Sequence, residues 1–150
     1  MLSKINSKKQ KIKVEIFYGL KGMKTAYSKE FEYDKKGKTV RIMGARGTEF
    51  SERGLYDFFI NNIYPKRIAS KVTIKKIYSE DSRVNRDKYE KEAKIRYLPY
   101  NSPVTFLVIE NLTIMGIQSK EENITISIES LDVAESFIQQ FELMWKIAKK

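Results

Sequence analysis

Val104-Thr105-Phe106-Leu107-Val108-Ile109 is followed by Glu110-Asn111 and then by Leu112-Thr113-Ile114-Met115-Gly116-Ile117. Two apolar runs rich in β-branched residues, broken only by a short polar pair, read as a β-hairpin. Downstream, Ile124-Thr125-Ile126-Ser127-Ile128 alternates strictly and is the clearest strand of the chain. The last element, Asp132 to Ala148, carries Val133, Ala134, Phe137, Phe141, Met144, Trp145 and Ala148 at helical spacing. Asp132 stands there as N-cap or first-turn acid, with Lys146, Lys149 and Lys150 where cations suit the helix dipole.

Upstream the pattern changes to strand–helix units. Ile12-Lys13-Val14-Glu15-Ile16-Phe17-Tyr18 is a strand ending at Gly19, and Gly22 to about Tyr33 reads as a short helix. Lys38 to Met43 is a second strand closed by Gly44. Leu55, Phe58, Phe59 and Ile63 mark a helix that Pro65 should kink or interrupt, with Lys66 to Ser70 as its extension. Val72 to Tyr78 is a third strand, the polar stretch Ser79 to Lys91 holds one or two helical turns, and Lys94 to Leu98 is short and strand-like. The expected fold is a mixed α/β domain with helices on both faces of one sheet, and with Ile77, Val108 and Ile126 in central strands. Residues 1–11 form a basic lead or linker and 12–150 the single domain; there is no convincing repeat or linker.

Composition bounds the chemistry. The 150 residues suit one domain, and 41% hydrophobic with 12% aromatic content is ordinary globular usage. There is no Cys, which excludes disulfides, thiol catalysis and Cys-based metal sites. There is no His either, which excludes Ser-His-Asp triads, HExxH zinc sites and histidine phosphotransfer. No cofactor or metal is expected. No segment has the roughly 18 apolar residues of a membrane span, and no signal-peptide core follows the N-terminal lysines, so a cytoplasmic location and no membrane partner are the expectation. The formal charge is +10, divided as +13 over residues 1–100 and −3 over 101–150. The first two thirds therefore carry any surface that attracts anions.

Several residues are candidates for binding an anionic ligand. Gly19-Leu20-Lys21-Gly22-Met23-Lys24 joins strand to helix, where amides with Lys21 or Lys24 could hold an anion, although the stretch matches neither the P-loop nor the GxGxxG pattern. It reads first as a plain turn with surface lysines. Gly44-Ala45-Arg46-Gly47-Thr48-Glu49 follows the second strand, where open α/β sheets bind ligands, and Arg46 and Thr48 are its candidates against the alternative of a surface loop. Arg67 and Arg96 suit carboxylate or phosphate recognition, Arg96 because it lies in an otherwise apolar strand. Arg83 to Glu92 mixes signs almost one for one and reads as a solvated face. The pairs Glu30/Glu32, Glu80/Asp81 and Glu121/Glu122 sit in polar, lysine-rich sequence without the look of a catalytic dyad. Phe58, Phe59, Phe137, Phe141 and Trp145 fall at core-facing spacing, the last three also serving as candidate interface residues.

Several stretches carry a family resemblance. Phe137-Ile138-Gln139-Gln140-Phe141-Glu142-Leu143-Met144-Trp145 resembles the closing F-E-x-x-W helix of TrmB-type transcription regulators, and Tyr18-Gly19-Leu20-Lys21-Gly22-Met23-Lys24 looks like the start of their effector domain. Arg67 with the Val72–Tyr78 strand, Arg96-Tyr97-Leu98-Pro99, and the strands Thr105–Glu110 and Leu112–Gln118 are similar to its middle section, in the same order. The resemblance implies a phospholipase D-like effector fold used for sensing and dimerisation rather than catalysis. Active members of that wider fold need a paired His and Lys motif, which a chain without His lacks. It also implies a homodimer, and DNA contact through a winged helix-turn-helix, for which the residues before Ile12 are too few. An effector domain beginning in its linker and a free-standing one-domain relative both fit. The family's sugar ligand does not carry over, because its site uses a longer C-terminal region. The reading is a non-catalytic regulatory module, against the alternative of a free-standing basic nucleic-acid-binding module using residues 1–100.

Overall fold

The computed structural model describes residues 11–45, 57–82, 91–100, 102–117 and 121–150. In chain order the elements are β1 (Lys13–Tyr18), α1 (Gly19–Ser28) with a 3-10 turn (Lys29–Glu32), β2 (Thr39–Ala45), a π-helical turn (Phe59–Ile63) leading into α2 (Tyr64–Ser70), and β3 (Thr73–Ser79) with a 3-10 turn (Glu80–Ser82). There follow β4 (Lys94–Leu98), β5 (Val104–Ile109), β6 (Leu112–Ile117), β7 (Ile124–Glu129) and α3 (Leu131–Ile147). The seven strands form one sheet in the order β1-β7-β6-β5-β2-β3-β4. β2, β3 and β4 are mutually parallel, and every other neighbouring pair is antiparallel.

Side chains alternate across a strand, so each face can be read from the register. One face, with Val40, Ile42, Ile74, Leu107, Ile109, Leu112 and Ile114, is covered by Met23 and Tyr27 of α1 and by Ile63 and Tyr64. The other face meets α3, where Ile77 and Leu98 pack with Phe141 and Ala148 and are joined by Met43, Met144 and Trp145. Phe106 on β5 packs against Phe137 at 4.9 Å between ring centroids. The expected mixed sheet with helices on both faces is thus the observed one.

β1 differs from the expectation of successive strand–helix units. It lies at the sheet edge, antiparallel to β7, far from β2. The helix after it begins at Gly19 itself rather than after a loop: Gly19 takes φ +68° and donates its N–H to Asn123 O at 2.8 Å. Gly22 then lets α1 sit on its own strand, because a Cβ there would lie 2.9 Å from Phe17 Cβ.

Pro65 neither ends nor interrupts its helix. It lacks the N–H that an α-helix would direct to residue 61, and the turn ahead of it widens so that Tyr64 N–H reaches Phe59 O. At the last helix, Ser130 rather than Asp132 is the N-cap: its hydroxyl accepts from Val133 N–H at 3.3 Å, and Asp132 is the first-turn acid. Gly44 does not close β2 but sits inside it, at an irregularity between Met43 and Ala45, with φ +84°.

A Cβ at Gly44 would stand 2.3 Å from Val104 O, in a backbone conformation that L side chains avoid. Gly44→Ala is expected to cost about 2 kcal/mol or more, measured by urea unfolding. An unchanged midpoint would show that β2 relaxes freely at this point.

Candidate anion-binding site

The register places residues of one sheet face in rows that cross all seven strands. One row runs Val14, Ile128, Thr113, Val108, Arg41, Lys75, Lys94, and the next Ile16, Ile126, Met115, Phe106, Met43, Ile77, Arg96. Both begin apolar at β1 and end cationic at β4. α3 crosses this face and lays Glu142 and Trp145 over the cationic end. Arg41 Nε donates to Glu142 Oε1 at 2.8 Å, and Lys75 Nζ lies 3.3 Å from the same oxygen. Lys75 Nζ is 5.4 Å from the Trp145 ring centroid and Arg96 Cζ 4.5 Å. Arg96 Nη1 also donates to Trp145 O at 2.6 Å, satisfying a carbonyl in the last turn of α3.

Arg41 and Lys75 thus hold one carboxylate, Glu142, and β4 beside them carries Lys94, paired in register with Lys75, and Arg96, which lies against the Trp145 ring. Burial works against the charge of Glu142, but the Arg41 hydrogen bond and the charges of Lys75 and Arg41 hold its pKa below the ordinary carboxylate value. Four cations against this one carboxylate give these five described residues a net charge of +3. With an aromatic plane beside them, cations so arranged can attract a planar or multiply charged anion.

A second polar assembly lies in the opposite layer. Arg67 on α2 is 1% exposed and Glu30, in the turn after α1, is fully buried. They form a two-pronged pair, Nε to Oε1 at 2.6 Å and Nη2 to Oε2 at 2.9 Å. Burial disfavours the Arg67 charge, but Glu30 more than restores it, and the guanidinium stays protonated. Asp34 is also buried beside Glu30, and among the described residues no N–H or hydroxyl donor reaches either of its carboxylate oxygens. Burial first and the Glu30 charge second push its pKa up to about 7. Tyr27 beside this group is pushed up to about 12, mainly by burial, and its hydroxyl fits because Gly116 has no Cβ to obstruct it.

The residues expected to face a ligand are dispersed. Lys21 and Lys24 lie on α1, with Lys24 Nζ 5.9 Å from the Phe58 ring. Arg67 is closed off inside the α1–α2 layer, its fork filled by Glu30. Arg96 lies on the other face of the sheet. Arg46 and Thr48 lie outside the described residues, as does most of the Arg83 to Glu92 stretch. Phe141 is core and stacks on Trp145 at 5.7 Å, and Phe137 packs inward on Phe106. The sequence pointed to Arg96 and Trp145 but not to Arg41, Lys75 or Glu142. A cation at an alternate, otherwise apolar strand position, as in Val40-Arg41-Ile42, is the signal that could have found them.

Elsewhere, a cleft of about 420 Å³ is lined by Glu32, Tyr33, Lys35, Lys38, Glu110 and Asn111. Its charges balance, and Lys38 already pairs with Glu110 at 3.3 Å.

The sequence matches no family model and no curated protein. Solved structures do share its fold. TrmBL2, described as an archaeal chromatin protein with a novel mode of DNA binding, superposes with a TM-score of 0.63 at 15% identity. That match covers 99% of this chain and 58% of TrmBL2, so the chain spans little more than half the length of that protein. NucT from Helicobacter pylori superposes with a TM-score of 0.60 at 14% identity, covering 93% of this chain and 99% of NucT. The mixed α/β fold expected from the sequence, one sheet flanked by helices, is thus one that solved structures share.

Removing one partner of a buried pair leaves a bare charge, so Arg67→Ala and Glu30→Ala are each expected to cost about 3–5 kcal/mol by denaturant unfolding. A loss below about 1 kcal/mol would show that water reaches the survivor. Asp34 binds its proton more tightly folded than unfolded, so its contribution to stability is full at acid pH, below the unfolded pKa, and fades as pH rises toward about 7. The Tm of Asp34→Asn relative to the parent should therefore climb between about pH 5 and 8. A difference constant over that range would contradict the raised pKa.

Proposed function

We propose that this chain is a non-catalytic regulatory domain, working as a homodimer, that binds an anionic ligand at the cationic end of its sheet. The observation that carries this reading is the run of cations at one end of the sheet: Arg41 and Lys75 share the single carboxylate Glu142, Lys75 and Arg96 flank the Trp145 ring, and Lys94 continues the row beside Lys75. The site touches α3 along Glu142 and Trp145, so an anion that competes with Glu142 for Arg41 and Lys75 changes how α3 is fastened. A ligand can move an equilibrium only through such a differential contact. The absence of His supports the non-catalytic reading, because the paired His and Lys chemistry of the wider fold has no imidazole here. The homodimer follows the family resemblance.

Nucleic acid is the second reading. It is favoured by the fold shared with TrmBL2, whose description names DNA binding, and by the excess of cations in residues 1–100.

Trp145 is the only tryptophan of the chain and sits in the site, so its fluorescence reports occupancy directly. Inorganic phosphate, pyrophosphate and citrate are expected to change that emission in a saturable way, and Lys75→Ala or Arg96→Ala to weaken the response about tenfold each. Emission indifferent to all three anions would remove the ligand reading. A duplex oligonucleotide that binds at moderate salt with a steep salt slope would favour nucleic acid instead.

A further inference from the structure

β1 is an edge strand that presents an apolar row to solvent. Val14 is 56%, Ile16 55% and Tyr18 59% exposed, with Ile12 just ahead at 63%. These residues share the α3 face with Ile124, Ile126 and Ile128, to which Tyr18, Ile16 and Val14 are paired. Among the described residues no strand pairs with the outer edge of β1. The backbone direction on that edge follows from one bond. Gly19 N–H points into the sheet, to Asn123 O, and alternate residues point to alternate sides. The N–H and C=O groups of Val14, Ile16 and Tyr18 therefore point outward, available to another strand. The opposite edge differs: the segment after α3 pairs with β4 through Tyr97 and Lys149, with bonds of 2.7 and 2.9 Å.

We infer that a second copy of this chain adds to the outer edge of β1, antiparallel and centred on Val14, joining two seven-stranded sheets into one. The inference rests on the homodimer reading above and names its surface. Charge selects the register. Centred on Val14, Lys13 stands opposite Glu15 of the second copy and Glu15 opposite its Lys13, while Ile12 faces Ile16 and Val14 faces Val14. Centred on Glu15, the two Glu15 carboxylates would oppose one another. Centred on Ile16, Glu15 would face Phe17. Only the first arrangement pairs opposite charges, and it puts them at the closely spaced, non-hydrogen-bonded positions of the ladder. Within one chain Glu15 already attracts cations, with Lys29 Nζ at 2.8 Å and Lys13 Nζ at 3.4 Å. A two-fold contact repeats each pair, so the effect of each charge is doubled.

The test is sedimentation of the whole chain at concentrations up to about 100 µM, a range that reaches weak, standard-sized interfaces. The parent is expected to dimerise. Val14→Pro removes an outward N–H that no described strand of the single chain uses, so the fold is expected to survive by circular dichroism while the dimer is lost. Lys13→Glu and Glu15→Lys are each expected to weaken self-association about tenfold. An equimolar mixture of these two variants restores it. In the mixed pair one copy carries carboxylates at both facing positions and the other carries ammonium groups at both, so opposite charges meet again across the axis. A parent that stays monomeric would overturn the homodimer reading together with this one. A parent dimer insensitive to Val14→Pro, or a mixture that does not restore association, would overturn the β1 surface alone.

Discussion

The Arg67–Glu30 pair holds together the layer on which the rest of the domain leans. Glu30 belongs to the turn that ends α1 and Arg67 to α2, and between them these helices cover one face of the sheet. Neither helix has a side-chain cap at its start, and both are short, so isolated stability is not available to them. Their position comes from tertiary contacts: Met23, Tyr27, Ile63 and Tyr64 on the sheet, and one two-pronged ion pair between the helices. Such a pair contributes little net stability against an apolar replacement, but it tolerates only one relative placement of its two helices.

The two faces of the sheet are chemically unlike. The α1–α2 face is a broad apolar core with a closed polar centre. The α3 face grades from Val14 and Ile16 at one edge to Lys94 and Arg96 at the other, with a single helix laid across the middle. That gradient comes from placing two kinds of strand in one sheet. β1, β6 and β7 are apolar on this face apart from Thr113. β2, β3 and β4 carry a cation at every register position level with Val14. α3 answers the gradient in kind, with Phe137 over Phe106 and Glu142 over Arg41.

Much of this architecture was legible in the sequence, because it rests on local periodicity. The β5–β6 hairpin, the strict alternation of β7 and the apolar stripe of α3 each declare themselves within a few residues. What was not legible depends on partners remote in the chain. Nothing local to Lys13–Tyr18 says that it pairs with β7 rather than β2, because strand pattern specifies a face and not a neighbour. Glu30 lies among lysines in polar sequence, and only the arrival of Arg67 makes its burial affordable. For the candidate site the same limit applied: Arg96 stood out by its apolar surroundings, whereas Arg41 and Lys75 gained meaning only when Glu142, about a hundred residues from Arg41 in the chain, arrived above them.

The pairing of Lys149 with Tyr97 treats the two edges of the sheet unequally. An open edge is a template, and a sheet with two of them can polymerise without limit. Here the backbone of the last residues occupies part of the β4 edge. A strand arriving there would have to displace Lys149 from Tyr97 and disturb the last turn of α3 held by Arg96. The geometry is that of a growing polymer with a terminator at one end: of the two edges, β1 is the one left open to addition among the described residues. The residues that follow α3, through Lys149, thus work against fibre formation.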